Sequence, residues 1–214
     1  MLELGVKSLV SYLLGTLLGS LILGRVRGVD IRSMGSGNAG ATNALRTQGK
    51  VFGAAVLALD IAKGVIAVAW LPALRLPGVG AEADVSRQWL ALACGAAVIL
   101  GHVYPVWFGF RGGKGVATVV GVIGAIEPWL LAPLMLCWLL VVAMTGYVGL
   151  ASMLAGAALV FAVRWLEPAN VPLLVFCACV TAFVIYTHRG NIARMRAGTE
   201  NRARSLWLFR SRAA

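Results

Sequence analysis

The sequence predicts an all-α integral membrane protein: a compact bundle of about seven transmembrane helices, some short, with the N-terminus outside and the C-terminus cytoplasmic. Three observations predict it. Hydrophobic residues make up 60% of the 214 and charged residues 13%, which excludes a soluble domain with a polar exterior. The apolar residues run in stretches near the width of a bilayer core, joined by connections too short for a separate globular unit, so residues 1–214 are expected to form a single domain. Fourteen of the 19 Lys and Arg residues fall in three places: Arg25, Arg27, Arg32, Arg46 and Lys50 after the first apolar stretch, Arg111 and Lys114 before the fourth, and seven after Tyr186. Positive charge clustered beside membrane segments marks the cytoplasmic side, and no nucleic-acid partner is expected.

Residues 4–24 are the first expected span, with Ser11, Gly15 and Gly19 on one face for close approach of a neighbour. Glu3 ahead of Lys7 and the lack of a small-residue cleavage site disfavour a signal peptide. The second span, 51–71, is apolar apart from Asp60 and Lys63, which lie three apart and can pair. At about 1.5 Å per residue Asp60 is roughly 14 Å into the membrane, where an unpaired charge is costly. The connection at 72–88 holds Pro72, Pro77, Gly78 and Gly80, with Glu82 and Asp84 offsetting Arg75 and Arg87, and reads as an outer loop.

The third span, 88–104, brings His102 to its inner end. The fourth, 115–127, ends at Glu127-Pro128 and is only about 20 Å long as a helix against the roughly 30 Å of a full crossing, so either it is a half-helix or the bilayer thins around it. Spans at 129–144, 147–164 and 170–187 follow, separated by Thr145-Gly146 and Glu167-Pro168, and a basic tail, 188–214, closes the chain. The cluster Trp207, Leu208, Phe209 among arginines reads as an interfacial anchor. Cys94, Cys137, Cys177 and Cys179 all lie in apolar stretches and read as packing residues.

Three polar stretches interrupt this pattern, and the topology puts all three on the cytoplasmic side. Gly101 to Thr118 reads GHVYPVWFGFRGGKGVAT. Gly112, Gly113 and Gly115 are expected to leave backbone N–H groups bare for phosphate oxygens, Lys114 adds a point charge, and the helix from Val116 offers its positive dipole end. The stretch 33–46, SMGSGNAGATNALR, reads as a loop in which Ser36, Asn38, Thr42 and Asn43 are donors without bulk and Arg46 is a fork for phosphate or carboxylate. The third stretch carries His188, Asn191 and Arg194. His102 and His188 are the sole histidines, and neither is followed four residues later by Asp, which tells against a catalytic His–Asp pair at that spacing; no metal-ligand cluster is visible, so no metal or cofactor is expected. A carrier for phosphate or an organic anion is the alternative, but it would place its polar groups at the midplane within an internal repeat, and here only Asp60 and Lys63 are deep.

These stretches resemble the signatures of the PlsY family, bacterial membrane glycerol-3-phosphate acyltransferases that take their acyl group from acyl-phosphate. GSGNAGATN at 35–43 with Arg46 is similar to the first signature, GHVYPVWFGFRGGKGVAT to the second, and His188, Asn191, Ile192, Arg194, Gly198 and Glu200 to the third; Asp60 and Lys63 followed by Gly64 also match. The resemblance spans the chain. It implies transfer of a fatty acyl group from acyl-phosphate to the first hydroxyl of sn-glycerol 3-phosphate at the cytoplasmic face of a bacterial inner membrane, giving 1-acyl-glycerol 3-phosphate and phosphate. A soluble enzyme that makes acyl-phosphate is the implied partner.

On this resemblance the catalytic residues are Ser36, Arg46, His102, Lys114, His188 and Asn191. One phosphate falls to Gly112, Gly113, Lys114 and Gly115 with Thr42 and Asn43, the other to Ser36, Arg46, His188 and Asn191, or the reverse. Gly37, Asn38, Thr118 and Arg194 join in phosphate binding, while Asp60, Lys63 and Glu200 support. Bringing two anions together can contribute about 7–11 kcal/mol, against roughly 3–5 for a general base, so cations are expected to matter more than a proton acceptor. That acceptor is either His102 or the donor's own phosphate oxygen.

Overall fold

In a computed structural model, which describes residues 1–80 and 85–209, the chain is helical and no strand occurs among the described residues. Glu82 and Asp84 of the outer loop and Arg210 and Arg212 of the tail lie outside them. By packing, the chain falls into two compact units, Met1–Pro128 and Trp129–Ala214.

The first unit holds α1 (Leu2–Gly15), α2 (Gly19–Val26), α3 (Ala41–Gln48), α4 (Lys50–Val65, continued by a π turn over Ile66–Trp70), α5 (Arg87–Val103) and α6 (Val116–Ile126). Single 3-10 turns occupy Ile31–Ser33 and Val106–Phe108. Two of its helix crossings have glycine on both sides. A Cβ on Gly15 would overlap the Val98 carbonyl of α5, and one on Gly101 would overlap the Tyr12 carbonyl of α1. Gly64 of α4 and Gly121 of α6 meet in the same way. In lipid, where apolar side chains gain little by meeting each other, such backbone contact is a main source of helix association.

The expected first span is two helices, α1 and α2, bent by 43°. Carbonyls at a helix break lose their intrahelical partners, and the buried Lys63 ammonium takes two of them, donating to Gly15 O at 2.9 Å and Leu17 O at 3.2 Å. The small-residue stripe is therefore divided: Ser11 and Gly15 face α5, while Gly19 packs against Leu59 and Val56 of α4. Near the start of α1 and α5, Glu3 accepts from Lys7 at 2.8 Å and from both Arg87 nitrogens at 2.8 and 2.9 Å, and Lys7 also donates to Pro72 O. Pairing lets these charges sit inside an apolar unit.

The second unit contains α7 (Leu131–Thr145), α8 (Val148–Leu166), α9 (Val171–Thr187) and α10 (Arg189–Arg196). Gly146, at φ 75°, ends α7 in the left-handed region that favours glycine, and α8 returns against it. Asn170 caps α9 by accepting from the Leu173 N–H. Between α9 and α10 the chain bends by 51°.

Among the described residues four helices are long and apolar enough to cross a membrane, or up to six if each bent pair is one span. The sequence expectation is about seven helices, some short; the described residues hold four to six candidate spans, and α6, at 11 residues, is shorter than a full crossing.

Candidate active site

The stretch expected as a loop at 33–46 is a tight turn running into α3, and Asn43 builds it. Its Oδ1 accepts the Ser36 N–H at 2.9 Å, while Nδ2 lies 3.0 Å from each of the carbonyls of Ile31, Met34 and Asn38. Asn38 in turn accepts from Gly40 N–H, and Ser20 of α2 donates to Ala39 O at 2.6 Å. Asn43, expected at a phosphate, is buried and its amide is engaged within the turn, which it holds together. Thr42 and Arg46, one helical turn apart, share the exposed side of α3, and Ser36, Gly37 and Asn38 are partly or fully open.

The glycine turn also differs in detail from its expectation. Gly112 N–H donates to Val103 O and Gly113 N–H to His102 O, both at 3.1 Å, so these two amides close the end of α5 instead of facing an anion. The groups suited to an anion lie one step on. Gly115 turns the chain at φ 84°, which a side chain would strain, and α6 begins at Val116 with first-turn N–H groups that have no intrahelical partner. Lys114, half-buried, stands directly before this helix start. Thr118, expected to help bind phosphate, is fully buried in α6.

Behind the turn lie Asp60, Lys63 and His102. Lys63 Nζ is 2.9 Å from Asp60 Oδ1, and His102 Nδ1 is 3.4 Å from the same oxygen. With Asp60 1% and His102 2% exposed, this is an interior cluster. The ammonium directs its hydrogen bonds at Gly15 O and Leu17 O, so its contact with Asp60 is one of charge. The helix-internal ion pair expected from the spacing is present.

Arg32 is a residue that sequence reasoning passed over as one more loop charge. It pairs with Asp30 at 2.7 Å, and its Nη1 donates to Phe108 O at 3.0 Å and Arg111 O at 3.4 Å, tying the first polar stretch to the second. Arg25 and Arg32 both lie over the Phe108 ring, 5.6 and 5.8 Å from its centre. The hydrogen bonds from Arg32 hold the Asp30 carboxyl below the usual carboxylate range. The signal was there to read: Asp30 is the one acid between Lys7 and Asp60.

The third polar stretch belongs to the second unit. His188 sits at the bend between α9 and α10, buried, with Nδ1 2.7 Å from Val184 O; a carbonyl only accepts, so Nδ1 carries the proton and Nε2 is the ring's other polar atom. Glu200 accepts from Asn191 Nδ2 and from Arg194 Nε, each at 2.7 Å, and so orients both, the supporting part expected of it. The tail folds onto the turn between α7 and α8. Ala203 N–H donates to Gly146 O, Leu208 N–H to Ala143 O and the Trp207 indole to Met144 O, while Arg202 lies over the Tyr147 and Trp207 rings. Leu208 and Phe209 remain exposed, as an interfacial anchor requires.

Comparison with known proteins agrees along the chain. A family model described as glycerol-3-phosphate acyltransferase matches residues 6–198. The glycerol-3-phosphate acyltransferase of Chlorobaculum parvum is 40% identical over 90% of this chain and 93% of its own length, and that of Geobacter sulfurreducens 42% identical over 90% and 94%. Two crystal structures of PlsY, an integral membrane glycerol 3-phosphate acyltransferase, each cover 93% of this chain and 94% of their own. The glycerol 3-phosphate form is 36% identical with a TM-score of 0.80, and the lysophosphatidic acid form 35% identical with a TM-score of 0.77.

Proposed function

Because the chain belongs to the glycerol-3-phosphate acyltransferase family, we propose that it transfers a fatty acyl group from acyl-phosphate to the sn-1 hydroxyl of glycerol 3-phosphate at the cytoplasmic face of a bacterial inner membrane. The whole-length likeness to an enzyme solved with this acceptor and with lysophosphatidic acid, its acylated product, carries the reading.

The hydroxyl oxygen attacks the acyl carbonyl, the bond from that carbon to the phosphate oxygen breaks, and the hydroxyl proton leaves on the phosphate. The products are 1-acyl-sn-glycerol 3-phosphate and inorganic phosphate. An acyl-phosphate is a mixed anhydride with a good leaving group, so the protein's work is to hold two anions side by side and to stabilise the oxyanion. Arg46, Thr42 and Ser36 receive one phosphate; Lys114 and the N–H groups at the start of α6 receive the other. A part for His188, Asn191 and Arg194 in phosphate binding rests on the family resemblance alone. The leaving phosphate is the proton acceptor, and a soluble enzyme that makes acyl-phosphate supplies the donor.

The test is purified protein in nanodiscs with radiolabelled glycerol 3-phosphate and, in parallel, acyl-phosphate, acyl-CoA and acyl carrier protein thioester. Labelled lysophosphatidic acid should appear with acyl-phosphate alone. Equal product from a thioester would overturn the donor assignment, and no product with any donor would overturn the reading as a whole.

A further inference from the structure

We propose that Asp60, Lys63 and His102 form a positioning unit that sets the Gly112–Gly113–Lys114 turn, and that His102 is a packing wall for this turn rather than the base of the reaction. The proposal rests on the acyl-transfer reading above and adds how its cationic turn is held.

His102 meets the turn twice. Its carbonyl accepts the Gly113 N–H at 3.1 Å, and its ring occupies the space a side chain at 113 would need. A Cβ on Gly113 would overlap Nε2 and lie 2.9 and 3.0 Å from Cε1 and Cδ2, so the Nε2 edge abuts the turn's backbone. At the other edge Nδ1 faces Asp60 Oδ1 at 3.4 Å, and Asp60 is paired with Lys63, which is itself tied to the break between α1 and α2. The result is a continuous line of contacts from that break through Lys63, Asp60 and His102 to Gly113, with Lys114 as the next residue. It also accounts for why a Lys and an Asp lie deep in an apolar helix: the pair fixes one face of the imidazole, and the imidazole fixes the turn.

Two substitutions test this together. Gly113→Ala places a methyl group on the ring edge. His102→Asn keeps a donor at the position of Nδ1, toward Asp60, but removes the Nε2 edge. Each variant and the pair are purified, checked for a single elution peak and thermal unfolding close to wild type, and assayed for KM and kcat with glycerol 3-phosphate.

Gly113→Ala should lose activity about 100-fold, and adding His102→Asn should restore it at least about tenfold, since residues sharing one space couple strongly. His102→Asn alone should raise the KM for glycerol 3-phosphate several-fold and change kcat by less than about threefold, because it loosens a binding element and removes no proton acceptor. Asp60→Asn should move KM in the same direction.

A loss of kcat in His102→Asn on the order of 100-fold or more at unchanged KM would mark a base and overturn the proposal. So would a double variant no more active than Gly113→Ala. Wild-type protein serves as the control: if it makes no lysophosphatidic acid, the acyl-transfer reading fails, whereas if it does and rescue is absent, only the positioning unit fails.

Discussion

Single side chains in this protein divide into those that hold the polar turns and those that the proposed reaction sets against an anion. Asn43 is of the first kind, with its amide engaged at four backbone groups. Asn43→Ala should destabilise the protein by about 2–4 kcal/mol and expose 33–46 to protease, because several buried backbone groups lose a partner at once. Lys114 and Arg46 are of the second kind. Lys114→Ala should reduce kcat/KM by roughly 100- to 1,000-fold, more than any substitution at His102, since charge placed where anions crowd outweighs packing behind it; the opposite ranking in purified enzyme would remove the positioning account. Asp30, held below its usual carboxylate range by Arg32, contributes above its unfolded pKa of about 3.9 and is lost only as pH falls through the lowered folded value. The pH–rate profile of Asp30→Asn should therefore run parallel to wild type from about pH 6 to 8. Residue types pointed to donors for an anion, yet not to the division of labour. Asparagine is donor and acceptor in either use, and only the position of neighbouring carbonyls decides which.

At the level of elements, the helices match the apolar stretches to within a few residues, because length and caps are local properties. Bends and contacts are not. The break after Gly15 was invisible in an unbroken apolar run, and becomes intelligible once Lys63 is seen bound to its carbonyls. The crossing of α4 and α6 at Gly64 and Gly121 is equally non-local. Gly121→Leu would force these helices apart, at a cost of about 3 kcal/mol or more, and should lower the unfolding temperature and the monodisperse yield in detergent. Gly124→Leu, one turn along on a half-buried side of α6, serves as the comparison and should do much less. Equal damage from both would show that the α4–α6 contact is not where α6 gets its place.

For the whole molecule, the test is sidedness. Cysteine placed at Arg46, Lys114 or Asn191, in a background without Cys94, Cys137, Cys177 and Cys179, should resist an impermeant thiol reagent in intact cells and react after permeabilisation; labelling of any one from outside would break up the proposed cytoplasmic face. By itself, the amino-acid order determined membrane residence, helical class and the three polar stretches, since apolar length, charge clustering and signature spacing are properties of neighbours along the chain. The tertiary structure alone decided that Gly112 and Gly113 spend their amides on α5, that Arg32 ties the first stretch to the second, and that His102 faces Asp60 on one edge and Gly113 on the other. Arg32 with Phe108 and His102 with Asp60 join groups far apart in sequence, and Gly112 and Gly113 reach α5 across a bend; a hydrogen bond or a shared volume exists only where folding has brought both sides to the same place.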